Sequence, residues 1–228
     1  MSILVGGGAR AVVPAYFHPA VNPDAWERLA RCASMIRLVV LNVADGPGNG
    51  PERVFLDAVA RLQGAGVAVA GYVDTNYGRR TTDDALVDIK RYLDWYGVTG
   101  VAFDQVSSIA GHVGHYAALA ERARVFGAQV VAFNHGAHPV KAYAEHADLL
   151  GTFEGPWRAY VHASVPRWVR SRPAEQFYHL VYSVPQARLS DAYALLAQRH
   201  AGGAYVTDHG GSNPYEFLPA GLVDSVRP

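Results

Sequence analysis

Two short runs of apolar and small residues each end on an acid: Gly100-Val101-Ala102-Phe103-Asp104 and Leu149-Leu150-Gly151-Thr152-Phe153-Glu154. Taking a carboxylate out of water is costly unless something compensates it, so a buried strand has no structural reason to end on Asp or Glu. When two strands of one chain do so, their acids are expected to face a shared pocket. The chemistry open to such a pair is acid/base or nucleophilic. One ionised carboxylate attacks a substrate or activates water, while the other, held protonated by its surroundings, donates to the leaving oxygen. On opposite sides of a glycosidic bond, two such groups hydrolyse it.

The elements that must position these acids recur along the whole chain. Strands are predicted over 11–17, 36–43, 67–73, 100–105, 128–134, 149–154, 177–184 and 202–208. Most are continuous apolar runs rather than alternating ones, as parallel strands covered on both faces require. Helical patterns fill the gaps. Pro23 and Asp24 suit the first turn of a helix at 25–34, and 51–63 carries Val54, Leu56, Val59 and Leu62 before Gly64. Thr82-Asp83-Asp84 caps 85–96 ahead of Gly97, and 114–126 ends at Gly127. Weaker patterns cover 139–146, 156–164 and 190–200, with a stub at 213–218. Eight beats of strand then helix predict an α/β fold, a single (β/α)8 TIM-type barrel over 1–228 with short late helices. Gly6-Gly7-Gly8 precedes the first strand, so it is not the phosphate loop of a dinucleotide fold.

In such a barrel the site lies at the carboxyl ends of the strands. Reading only those ends collects Tyr16 and His18, Asn42 with Asp45, Tyr72, Asp74 and Tyr77, Asp104 and Gln105, Asn134 and His135, Glu154 with Trp157, Tyr182, and Asp208. Aromatic, acidic and amide groups on one rim are what a sugar site uses: rings pack on pyranose C–H faces, while carboxylates and amides bond to hydroxyls. Asp104 and Glu154 are the expected catalytic pair. Tyr16, Asn42, Tyr72, Asp74, Tyr77, Gln105, Asn134, His135, Trp157, Tyr182 and Asp208 are the expected substrate contacts. Each has a plainer alternative. Asp104 could cap a helix or pair with an arginine, Asp74 and Asp208 could only orient a partner, and Asn42 and Asn134 could only satisfy loop backbone.

Composition narrows the classes. Twenty Lys and Arg balance twenty Asp and Glu, so the basic footprint of a nucleic-acid binder is absent. The single cysteine, Cys32, excludes an internal disulfide or a cysteine-rich metal site and is expected to pack as a small core residue. No run approaches the ~20 apolar residues of a membrane span. The N-terminus lacks a basic region followed by a long apolar stretch, so a cytoplasmic protein is expected, or a secreted one if the chain has been trimmed. His18 stands alone where metal-dependent barrel hydrolases carry a His-x-His pair. No metal and no cofactor are therefore expected, and the protein is expected to be a monomer.

Several segments, in order and with their spacing, resemble the spherulin-four (spherulation-specific) family: Pro14-Ala15-Tyr16-Phe17-His18-Pro19, Leu41-Asn42 with Asp45-Gly46-Pro47-Gly48, Gly71-Tyr72-Val73-Asp74-Thr75-Asn76-Tyr77-Gly78, Trp95-Tyr96-Gly97-Val98 leading to Phe103-Asp104, Phe153-Glu154-Gly155, and Thr207-Asp208 with Asn213-Pro214-Tyr215. The resemblance implies a barrel and endo-acting hydrolysis of α-1,4-linked galactosamine or N-acetylgalactosamine polysaccharide. It implies Asp104 as nucleophile or its functional equivalent and Glu154 as general acid/base, with retention of configuration. One departure stands out. Characterised fungal members carry Asp-Glu where this chain has Asp104-Gln105, and Gln105 supplies neither charge nor proton. A non-catalytic carbohydrate-binding protein, or a structural and developmental one, is the alternative that this departure leaves open.

Overall fold

The computed structural model describes residues 8–222. Eight parallel strands close on themselves in chain order: β1 (Arg10–Ala15), β2 (Ile36–Leu41), β3 (Val69–Asp74), β4 (Gly100–Asp104), β5 (Val130–Asn134), β6 (Leu149–Pro156), β7 (Phe177–Tyr182) and β8 (Gly203–Val206). Six α-helices lie between them: α1 (Pro23–Arg31), α2 (Arg53–Gly64), α3 (Thr82–Tyr96), α4 (Val113–Val125), α5 (Trp157–Tyr160) and α6 (Leu189–Gln198). This is the expected (β/α)8 barrel. The best-formed helix shows why its boundaries are where they are. The Thr81 side chain accepts from the Asp84 backbone N–H, and Gly97 adopts the left-handed conformation that ends α3.

The late helices are shorter than the sequence pattern indicates. Residues 139–146 form only a 3-10 turn over Lys141–Glu145, α5 is a single turn, and no helix forms at 213–218. Pro166 follows 156–164 closely enough to block its last turn, and stretches as short as 139–146 and 213–218 are marginal as α-helices by themselves. The chain instead crosses the outside of β6 and β7 as turns. Among the described residues no helix is long and apolar enough to cross a membrane. Cys32 is buried, as expected.

Register decides what the barrel interior holds. Ala70 pairs with Gly100, Tyr72 with Ala102, and Asp74 with Asp104; Ala132 pairs with Leu149 and Asn134 with Gly151; Tyr178 pairs with Gly203. In an eight-stranded barrel the interior has room only for side chains. Here small residues on β4, β5, β6 and β8 leave that room to Tyr72, Tyr178 and Tyr205. A Cβ on Gly203 would lie 2.9 Å from Tyr178 Cβ. Outward-facing residues meet the helices: a Cβ on Gly71 would stand 2.2 Å from the Tyr92 ring of α3.

Candidate active site

Asp104 is the last residue of β4, and Glu154 stands on β6, two strands away around the barrel. Asn134, at the end of β5, lies between them. Its Nδ2 donates to Asp104 Oδ1 at 2.8 Å and to Glu154 Oε2 at 2.6 Å. Its Oδ1 accepts from the Gly136 backbone N–H at 3.3 Å, which fixes the amide so that its donors face the acids. With one nitrogen touching both, the two carboxylate oxygens are no more than about 5.4 Å apart, the two bond lengths end to end. Gly151, beside Asn134 in the ladder, is part of this arrangement. A Cβ there would come within 2.3 Å of Asn134 Oδ1 and 2.8 Å of Tyr178 Oη, so only glycine leaves space for both.

Each acid has further donors. The Tyr72 hydroxyl and the Gln105 backbone N–H favour the charged form of Asp104 in addition to Asn134. Glu154 Oε1 accepts from Tyr215 Oη at 2.5 Å. Burial raises the pKa of Asp104 above its usual value; the Gln105 backbone N–H, Asn134 and Tyr72 oppose the shift, and the Asp74 charge adds to it. Burial likewise raises Glu154, opposed by Tyr215 and Asn134 and reinforced by Asp104. Both carboxyls are thus held above their ordinary values, chiefly by burial. The surrounding hydroxyls are pushed the same way: burial, with the two carboxylates adding, raises Tyr16 and Tyr178 well above the ordinary tyrosine range.

These shifts have a consequence for stability. A carboxyl whose folded pKa lies above its unfolded value favours folding in full below the unfolded pKa. That contribution is lost as pH rises through the folded value. At neutral pH the pair therefore weakens the fold. Asp104→Asn and Glu154→Gln, which keep an acceptor oxygen for Asn134, are expected to melt higher than wild type at pH 7, by roughly 2–4 °C per kcal/mol relieved. The gain is expected to vanish toward pH 4. Thermal scans at both pH values check this, and a lower melting point at pH 7 for both variants would contradict it.

The pair stands where two cavities meet. One, of about 590 Å³, is lined by Tyr16, His18, Asn42, Asp45, Tyr72 and Tyr215 together with both acids. The other, of about 500 Å³, is lined by Tyr77, Gln105, Asn134, His135, Gly136 and Ala137, again with both acids. Three aromatic rings wall the first cavity edge to face, with Tyr16 set 5.7 Å from Tyr72 and 5.6 Å from Tyr215. Several rim residues hold left-handed backbone that is unfavourable for any side chain, with φ of 49° at Asp45, 55° at Tyr77 and 50° at Gln105. At Gln105 the conformation is pinned: its carbonyl accepts from the Tyr77 backbone N–H at 2.7 Å and from Thr75 Oγ1 at 2.9 Å. The Gln105 amide side chain takes no part in holding the acids together.

Of the residues expected at the site, Tyr16, Asn42, Tyr72, Tyr77, Gln105, Asn134 and His135 line the two cavities with the acids. Asn42 also accepts from the Gly46 backbone N–H at 3.0 Å, holding its own loop. Burial pulls the His135 pKa down to about 4, so it lines its cavity as a neutral ring. Four others lie outside both linings. Asp74 accepts from the Asn76 backbone N–H at 2.8 Å and shapes a turn. Trp157 packs outside the barrel near Tyr160, Tyr182 ends β7 opposite Pro156, and Asp208 is exposed beside His209. The strand-end reading missed Tyr215 and Tyr178. Tyr215 comes from the loop after β8, where Asn213 Oδ1 accepts its backbone N–H at 3.1 Å. The Asn-Pro-Tyr turn was the available signal. Tyr178 is near the start of β7, where a rule about strand ends does not look. Among the described residues, no group of three His, Cys, Asp or Glu side chains gathers to hold a metal ion.

A model of the family described as spherulation-specific family 4 matches residues 10–227. Spherulin-4 of Physarum polycephalum is 26% identical over 170 residues, which is 72% of this chain and 50% of that protein. The chain thus spans about half the length of this relative. Among solved structures, the crystal structure of Aspergillus clavatus Sph3 in complex with GalNAc superposes with a TM-score of 0.82 at 22% identity, covering 96% of each chain. Alpha-galactosidase I from Mortierella vinacea gives 0.60 at 8% identity, over 95% of this chain and 70% of that one. The Bacillus cereus spore cortex-lytic enzyme SleL gives 0.59 at 7%, over 91% and 72%. At such identities these likenesses establish the barrel fold.

Proposed function

Because the chain belongs to spherulation-specific family 4, we propose that it is a glycoside hydrolase cutting within polymers of α-1,4-linked galactosamine and N-acetylgalactosamine, with Asp104 and Glu154 as the working carboxylates. The observation that carries this is the pair itself: two acids bridged by one amide at the junction of two open cavities. A cavity on each side of the acids accommodates sugar units on both sides of the scissile bond, as internal cleavage needs. The relative crystallised with GalNAc holds a sugar of this class on the same fold.

The spacing favours retention of configuration. Retaining pairs stand about 5–5.5 Å apart, whereas inverting pairs leave about 6.5–9.5 Å for a water between them. Here the facing oxygens are within about 5.4 Å. Asp104, as the anion, attacks the anomeric carbon. As that bond forms, the bond to the leaving oxygen breaks and Glu154 supplies its proton. Glu154, now ionised, then takes a proton from water, whose oxygen displaces Asp104. Gln105 enters neither step. As an uncharged amide in the second cavity, it favours an N-acetylated unit over a cationic amino sugar there.

The test is incubation with partially acetylated α-1,4-galactosaminan, following new reducing ends and product length. A ladder of oligosaccharides is the expected result. Binding without cleavage would replace this proposal with a non-catalytic carbohydrate-binding role, the alternative that the neutral Gln105 favours.

A further inference from the structure

Gly151 and Glu154 both face the barrel interior although they are three residues apart. In a regular strand, positions separated by an odd number face opposite sides. The ladder between β6 and β7 resolves this. Gly151 lies opposite Tyr178, but the next pair is Phe153 with His179, and then Glu154 with Leu180. Thr152 is therefore an extra residue, a bulge of the kind that re-aims a side chain. Without it Phe153 would point into the barrel and Glu154 out among the helices. With it, Phe153 packs outward on Tyr160, at a ring separation of 4.7 Å.

The extra residue is held from outside the barrel. Thr152 is 1% exposed, and so is His179. His179 Nε2 lies 3.1 Å from Thr152 Oγ1, and Nδ1 lies 2.9 Å from Tyr160 Oη. Tyr160 is anchored in turn: Arg199 donates to its carbonyl through Nε at 3.0 Å and Nη2 at 2.7 Å. Burial drives the His179 pKa down to about 3, so the ring is neutral. A neutral imidazole has one donor and one acceptor, which two hydroxyls match.

We propose that Thr152 and His179 are positioning residues for the hydrolysis: the His179 ring, clamped between Tyr160 and Thr152, holds the β6 bulge that turns Glu154 toward Asp104. This rests on the proposed catalytic role of Glu154. A buried histidine that only satisfied the core would affect stability alone. One that positions Glu154 affects turnover, because misplacing a catalytic group by about 1 Å costs on the order of a hundredfold.

Thr152→Val removes the hydroxyl and keeps the branched shape; Thr152→Ser keeps the hydroxyl. Thr152→Val is expected to lower kcat by about ten- to a hundredfold, with KM nearly unchanged, and Thr152→Ser to retain most of wild-type kcat. Wild-type kcat in Thr152→Val, or an equal loss in Thr152→Ser, would overturn the proposal. Tyr160→Phe tests the far end of the clamp by the same readouts, with a smaller loss in the same direction, and stands in if Thr152→Val does not fold. Should wild-type protein leave the polymer uncut, the proposed function fails separately and crystal structures still decide this point. Displacement of Glu154 Oε1 from Tyr215 Oη in the variant supports the clamp, and an unchanged bulge and contact refutes it.

Discussion

Asp104→Asn is expected to lose about 10³–10⁴-fold in kcat on the galactosamine polymer while still binding it. The substitution preserves shape and an oxygen for Asn134 Nδ2 to donate to, so the bridge to Glu154 persists. What disappears is the anion. An uncharged amide oxygen is a far weaker nucleophile than a carboxylate, so the covalent step has no good substitute in a site whose other carboxylate is committed to proton transfer. Reducing-end release and calorimetric binding should be measured together. Unaltered turnover would remove Asp104 from the chemistry; lost binding with lost turnover would mean that the amide had disturbed the cleft.

Glu154→Gln has a comparable effect on the polymer, expected at about 10²–10⁴-fold, but the two roles separate with a second substrate. An aryl glycoside with an acidic phenol leaves as the phenolate and needs no proton. Its first step should proceed in Glu154→Gln at a substantial fraction of the wild-type rate. The second step, which needs a base to activate water, should not. The expected record is a burst of phenol followed by a slow phase, with the sugar held on Asp104. The wild-type rate should also fall on the alkaline side as Glu154 loses its proton, at a pH above the ordinary glutamate value because burial raises its pKa. Glu154→Gln should lack that limb. If it is slowed equally on both substrates, without a burst, Glu154 is not the acid/base.

The pair beside Gln105 is held without the Gln105 side chain. The bridge between Asp104 and Glu154 is made by Asn134 and supported by Tyr215. Gln105 contributes its backbone carbonyl, which accepts from Tyr77 and Thr75. A backbone role is indifferent to which side chain residue 105 carries.

The parallel strands and the acids at their ends were legible in sequence because burial on both faces writes a continuous apolar run, and an acid ending such a run is conspicuous. Strand order followed from the count of eight strand–helix beats. The late helices were overestimated because apolar spacing persists through 139–146 and 156–164 while stretches so short are marginal as helices. Asp74, Trp157, Tyr182 and Asp208 share the rim position of the cavity-lining residues but not their placement, since a strand's end does not say which way the following loop turns. Tyr215 reaches Glu154 from 61 positions farther along the chain, and no local pattern records such a contact. The face on which Glu154 appears is the clearest case. Simple alternation from Gly151 would turn Glu154 out of the barrel. Only the Thr152 bulge, visible as a slip in pairing with β7, brings it inside. The sequence by itself determined the barrel, its rim and the two acids, because these depend on local hydrophobicity and order. The tertiary structure alone decided that the acids face each other across one amide, because that depends on register, a bulge and contacts between residues distant in the chain.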